Sequence, residues 1–173
     1  MPESYRPHLR KDDEDKRTAS QSVATNTSVS NARVQDVLTS KDAAVHTIRP
    51  QQTLHEAVEQ LRDHRIGALV VTDANGDLVG ILSERDIVRK LADTPGHTLP
   101  KKVEEVMTRS VETCTADDPL VTVLTRMTKG RFRHMPVVDG AQLIGLISIG
   151  DAVHYRLNQL ELEALQIKQL IVG

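Results

Sequence analysis

The chain has 173 residues, 39% hydrophobic and 27% charged, a balance that suits one ordinary domain or two small units sharing a core. Its formal net charge is −2 with both signs interspersed, so it lacks the broad basic field that dominates nucleic-acid binding, and any anionic ligand must be captured by a local site. The longest apolar stretches, such as Gly67 to Val71, fall far short of the roughly 20 residues that span a bilayer, which argues against a membrane protein.

Residues 1–31 are charged and polar with almost no apolar periodicity, so a flexible tail is expected there. This end shows no apolar signal-peptide core, and Lys11 to Lys16 is too acidic for an organellar transit peptide, so a cytoplasmic location is expected. The single cysteine, Cys114, fits a reducing compartment: it has no partner for an internal disulfide and offers no metal cluster.

From Val34 onward the sequence repeats itself. Val45 to Pro50 (VHTIRP) aligns with Val111 to Ala116 (VETCTA), Leu54 with Leu120, and Ala68 to Asp73 with His134 to Asp139, at one constant displacement. After a turn one residue shorter in the second copy, Gly80 to Asp86 (GILSERD) aligns with Gly145 to Asp151 (GLISIGD). Val34 to Thr39 precedes the first copy as Val103 to Thr108 precedes the second. A tandem duplication accounts for all of this and divides the chain into a tail (1–31), a first unit (32–99), a second unit (100–157) and a C-terminal extension (158–173).

Each copy reads as β-α-β-β-α, an α/β (α+β) unit. Short β-branched strands at Val45 to Ile48 and Val111 to Thr115 lead to amphipathic helices, Thr53 to His64 and Pro119 to Lys129, with Thr53 and Asp118 as expected N-caps. Strands Ala68 to Thr72 and Leu78 to Leu82 follow, joined by a turn whose Asn75-Gly76 is a hairpin signal; the second copy turns at Asp139-Gly140. A last helix starts near Ser83 and near Ser148. Units of this size are marginal alone, so the copies are expected to pack as a pseudo-symmetric pair with clefts at their interface.

Ser83-x-x-Asp86 and Ser148-x-x-Asp151 each follow Gly-h-h, with h apolar, at a strand-to-helix junction. One reading is a capping box that satisfies free N–H groups of the first turn. The other uses the same geometry for a ligand: the helix N-terminus faces a phosphate while the carboxylate accepts hydrogen bonds from a ribose diol.

The duplicated Gly-h-h-Ser-x-x-Asp, the Thr47-Ile48-Arg49-Pro50 strand and the Arg133-His134-Met135-Pro136-Val137-Val138 segment together resemble a cystathionine-β-synthase (CBS) domain pair, or Bateman module, over about Val34 to Leu157. The resemblance implies binding of an adenosine-containing ligand (AMP, ADP, ATP, NADH or S-adenosylmethionine) between the units, and no catalytic cofactor. Carried over by position, Asp86 and Asp151 would hold ribose hydroxyls and Ser83 and Ser148 would stand beside phosphate. Arg65, Ile66, Gly67 and Ala68, with their counterparts Arg131, Phe132, Arg133, His134 and Met135, would border adenine and phosphates; Thr47, Ile48, Thr113 and Cys114 would line the base pocket. The second copy departs from the pattern, with Ala116 against Pro50 and Pro119 against Thr53, so the two sites need not be equivalent.

Arg85 lies in a first helical turn, the wrong end of the dipole for a cation unless an anion binds there, and is read as a phosphate ligand or a surface partner of Glu84. His55 and His64 lack the i, i+4 spacing of a zinc helix, Cys114 reads as a buried inert thiol, and no nucleophile with its base is evident. Asp151 to Val172 reads as a long helix with more apolar surface than one small unit can cover, so packing on a second copy in a symmetric dimer is expected. The sequence therefore predicts a regulatory module, not an enzyme, that senses an adenine nucleotide and signals to an effector. A ligand-free dimerisation scaffold is the alternative, and an enzyme acting on a nucleotide ranks third.

Overall fold

The computed structural model describes residues 32–41 and 44–172; the expected N-terminal tail lies outside the described residues. In chain order the elements are α1 (Val34–Ser40), β1 (Thr47–Ile48), α2 (Leu54–His64), β2 (Ala68–Thr72), β3 (Leu78–Ser83), α3 (Glu84–Asp93), a 3-10 turn (Val103–Glu105), α4 (Leu120–Gly130), β4 (His134–Asp139), β5 (Gln142–Ser148) and α5 (Ile149–Val172). This is the duplicated mixed helix-and-strand plan expected from the repeat. In unit one, β1 runs parallel to β2, and β2 pairs antiparallel with β3. In unit two, β4 pairs antiparallel with β5, and a lone parallel bridge from Cys114 to Val137 stands where β1 stands in unit one. The register slips between Val71 and Thr72 and between Val137 and Val138, equivalent positions of the two copies.

Local chemistry explains most boundaries. Thr53 caps α2 through a reciprocal box with Glu56: the Glu56 N–H donates to Thr53 Oγ1 at 3.2 Å, and Thr53 N–H donates to Glu56 Oε2 at 2.7 Å. Gly76 and Gly140 turn the two hairpins at φ of 90° and 58°, a region open to glycine without steric cost. Two expectations fail. Asp118 is not the cap of α4: its carboxylate accepts from the Thr115 N–H at 3.0 Å, closing the preceding turn, and Pro119 (φ −62°) takes the cap position. The strand expected over Val111 to Thr115 shrinks to the Cys114 bridge, because the Val111 N–H bonds back to Arg109 O and Thr113 O accepts from Arg126 Nη2 instead of a neighbouring strand.

The core forms two clusters, and each draws on the segment that precedes the other copy. Ala32, Val34 and Val37 of α1 and its approach pack with Cys114, Leu120, Val123, Met127, Met135, Val137, Ile147 and Ala152 of unit two. Val103 and Met107, in the leading segment of unit two, pack with Ile48, Leu54, Leu61, Leu69, Val71 and Leu82 of unit one. Backbone bonds follow the same crossover: Val34 N–H to Asp118 O (3.1 Å) and Leu120 N–H to Ala32 O (2.9 Å) on one side, Val103 N–H to Gln52 O (2.8 Å) and Leu54 N–H to Lys101 O (2.8 Å) on the other. The motif glycines make room for it. A Cβ on Gly80 would meet Met107 Sδ at 2.6 Å and Thr108 O at 3.1 Å, and one on Gly145 would meet Leu38 at 2.9 Å. Each apolar side chain so buried contributes about 1.5–3 kcal/mol, so the exchange of leading segments ties the two units together.

Candidate functional site

Helices α3 and α5 start at equivalent strand-to-helix junctions, and both first turns face the space between the units. Ser83 ends β3 and caps α3: its N–H and Oγ donate to Asp86 Oδ2 at 2.9 and 2.6 Å, and the Asp86 N–H reaches Ser83 Oγ at 3.4 Å. Ser148 and Asp151 repeat the box, with Ser148 N–H to Asp151 Oδ2 at 2.9 Å and Asp151 N–H to Ser148 Oγ at 3.0 Å. The N–H groups of Glu84 and Ile149 bond to Gly67 O (3.1 Å) and Arg133 O (2.9 Å), which fixes each junction to the segment entering β2 or β4.

Between these junctions lies a cleft of about 640 Å³. Of the residues singled out in the sequence, Gly67, Ser83, Arg85, Asp86, Arg131, Phe132, Arg133, His134 and Ser148 line it. Arg85 bridges the units by donating to Arg131 O at 3.4 Å, and Gly67 lies so close to the His134 ring that a Cβ there would be 3.2 Å from it. Arg131 holds a left-handed backbone, φ 57°, at the end of α4, as Arg65 does (φ 53°) at the end of α2. That conformation costs a non-glycine residue roughly 1 kcal/mol.

The other singled-out residues stand elsewhere. Ile48, Ala68, Cys114 and Met135 are buried in the two cores, while Thr47 and Arg65 are exposed and Ile66 and Thr113 half-buried outside the cleft lining. Burial pushes the Cys114 thiol up to about 11, aided by the nearby Asp118 charge, so it is protonated and inert at neutral pH. Asp151 is also outside the lining. Its carboxylate takes a hydrogen bond from Lys41 Nζ at 2.7 Å. Burial acts to raise the pKa of Asp151, but the hydrogen bonds from Lys41 and Ser148 and the Lys41 charge outweigh it and hold the carboxyl below its usual value.

The cleft also includes residues that the repeat did not single out: Arg89, one turn beyond Arg85; the apolar Ile81, Val111 and Ile149; and Thr108, Ser110 and Glu112 from the crossover segment. Arg89 could have been found from its i, i+4 spacing to Arg85. The crossover residues carried no local signal. The lining thus combines four arginines, His134 and the carboxylates of Glu84, Asp86 and Glu112 with an apolar surface that includes Phe132, the only phenylalanine in the chain. Burial, the largest effect, lowers the His134 pKa; the Lys41 and Arg133 charges add to it and Asp151 opposes it, so the ring is neutral at neutral pH. Such a site can hold an anion beside a flat apolar group. Among the described residues, no group of three or more His, Cys, Asp or Glu is placed to hold a metal ion, and no helix is long and apolar enough to cross a membrane.

Comparison with known proteins agrees with the duplication. The CBS domain model matches residues 34–93 and 103–158. A crystal structure of a CBS-domain-containing protein from Agrobacterium tumefaciens is 40% identical, with a TM-score of 0.71 over 73% of this chain and 95% of that one. An uncharacterised 17.7 kDa protein of Acidianus ambivalens is 33% identical over 120 residues, 69% of this chain and 70% of that protein. The CBS domain pair of protein MJ0100, solved in complex with 5′-methylthioadenosine and S-adenosyl-L-methionine, is 29% identical, with a TM-score of 0.65 over 74% of this chain and 98% of that one. The chain spans about a fifth of the length of several Arabidopsis thaliana CBS domain-containing relatives. With both repeats matched over most of the chain, this protein belongs to the CBS-domain family.

Proposed function

We propose that this CBS pair is a regulatory module that binds an adenosine-containing nucleotide in the cleft between its units and passes the change in packing to an effector. The observation that carries the reading is the cleft itself: Arg85, Arg89, Arg131 and Arg133 gather with Phe132 beside two helix N-termini in a chain whose net charge is −2. The arginines suit phosphates, the apolar lining suits a base, and the Asp86 carboxylate suits a ribose diol. The adenosine-type ligands of the MJ0100 pair support that ligand class. AMP, ADP, ATP and NADH present all three groups; S-adenosylmethionine presents the base, the diol and a carboxylate in place of phosphate. The ligand would favour one relative orientation of the units, by no more than its differential affinity for the two states. The exposed apolar surface of α5 supports a homodimer as the assembled form.

A specific observation favours a second reading, a ligand-free dimerisation scaffold: both Ser-x-x-Asp motifs close as complete capping boxes. Substituting the aspartates disturbs caps and ligand together, so the arginines give the cleaner test. Calorimetric titration of wild type, Arg131→Ala and Arg133→Ala with AMP, ATP and NADH separates the readings. Micromolar binding weakened about tenfold or more by either substitution supports the sensor, in line with about 1.5–3 kcal/mol for a charged hydrogen bond. No binding by the wild type favours the scaffold.

A further inference from the structure

Helix α5 runs 24 residues and presents two different apolar faces. One faces unit two: Ala152 is buried in its core, Tyr155 packs against that core, and Gln159 Nε2 donates to Tyr155 Oη at 2.9 Å. Among the residues of α5 whose side chains are described, none beyond Ala152 is buried. About 100° round the helix, a second row takes in Val153, Leu157, Leu160, Ala164, Ile167 and Ile171 at alternating intervals of four and three residues. Its large members are 46%, 54%, 45%, 55% and 78% exposed, in chain order. A helix covered by its own domain repeats its apolar stripe every 3.6 residues on the side that touches the domain. This row repeats every 3.5 residues, lies off that side and continues past it, as the seam of a coiled coil does.

The flanking charges identify the occupant. With Leu157 at position a and Leu160 at position d, Arg156 and Glu163 occupy g positions and Glu161 and Lys168 occupy e positions. In a parallel, in-register pair each g residue faces the e residue five further along the other helix. Glu163 then meets the partner's Lys168, and Arg156 meets the partner's Glu161. An antiparallel pair overlapping over the same length would set Glu161 against the partner's Glu161 and Glu163 against the partner's Glu163. We propose that two copies of this chain join through α5 as a parallel, in-register, two-stranded coiled coil seamed by Val153, Leu157, Leu160, Ala164, Ile167 and Ile171. The inference rests on the dimer reading given above and names its surface and polarity. Because Ser148, Ile149 and Gly150 at the start of α5 line the cleft, the same helix connects ligand and seam.

The test uses the full chain with Leu160→Cys and Ile167→Cys as separate variants. The native Cys114 is only 3% exposed, so each added thiol is the accessible one. The expected results are a dimeric mass by light scattering and covalent dimers from both variants on mild oxidation of the folded protein, since only a parallel, in-register seam brings both positions against themselves. Glu163→Lys is expected to weaken the dimer about tenfold, and Glu163→Lys with Lys168→Glu to restore it to within about threefold. A monomer overturns both the dimer reading and this one. A dimer that cross-links at neither position, or at only one, leaves the dimer reading standing and overturns the parallel seam, as does a trimeric or tetrameric mass.

Discussion

Lys41 Nζ lies 2.7 Å from Asp151 Oδ2, so the residue that ends α1 neutralises the motif carboxylate of the second unit. The contact depends on the crossover of leading segments, since Lys41 belongs to the leading segment of unit one yet reaches unit two. Its counterpart by the repeat is Ser110, which lines the cleft and carries no charge. Among the described residues Asp86 has no ion-pair partner, so the two motif carboxylates differ in availability.

One consequence concerns stoichiometry. A ribose at Asp151 would compete with the Lys41 contact on Oδ2, whereas one at Asp86 would meet no ion pair. The wild type is therefore expected to bind one nucleotide per chain, and Lys41→Met to bind two, with the first affinity changed less than about threefold. Calorimetric stoichiometry decides it; an unchanged value in Lys41→Met would show that Lys41 does not gate the second position.

The same pair predicts a pH dependence. Because the Asp151 carboxyl is held below its usual pKa in the folded state, its contribution is fully present above the ordinary aspartate value. It is lost as the pH falls through the depressed one. Both side chains are about a quarter to a third exposed, so the contribution is modest, about 1 kcal/mol. Urea unfolding across the acid range should show wild type losing its advantage over Asp151→Asn as the pH drops. A constant difference between the two would refute the linkage.

Val37 is 1% exposed and belongs to the core of unit two although it lies in the leading segment of unit one. Val37→Ala is expected to cost about 1–3 kcal/mol, measured by urea denaturation, and to raise hydrogen exchange in β4 and β5 before β2 and β3. Gly80→Ala should also destabilise, because Thr108 O as well as Met107 must move. Loss of protection confined to unit one in Val37→Ala would contradict the crossover.

His134 couples the cleft to protons. Burial keeps the ring neutral, and a bound phosphate would favour its protonated form, so nucleotide affinity should rise as the pH falls from about 8 to about 6. His134→Gln should flatten that profile. An identical pH profile in wild type and variant would remove His134 from the site.

The parts of this structure that were legible in the sequence are those written in local patterns. The Thr53 cap, the hairpin glycines and the two Ser-x-x-Asp caps each act within a few residues, and duplication wrote the glycines and the Ser-x-x-Asp caps twice. The crossover was not legible, because Gly80 meets Met107 and Lys41 meets Asp151 across long stretches of chain and neither pair has a local signature. Alignment alone also could not separate the cleft face from the core face. Ala68 and His134 occupy equivalent strand positions, yet Ala68 is buried while His134 lines the cleft. Asp118 is ambiguous in the sequence because an aspartate before proline suits a turn as well as a helix cap, and here its carboxylate accepts from the Thr115 N–H.

The most direct test is a crystal structure of the full chain grown with millimolar ATP or AMP. The account predicts an adenosine ligand in the cleft, its phosphates against Arg85, Arg131 and Arg133 and its ribose at Asp86. A cleft without ligand at saturating concentration, or a nucleotide bound only at another surface, would contradict it.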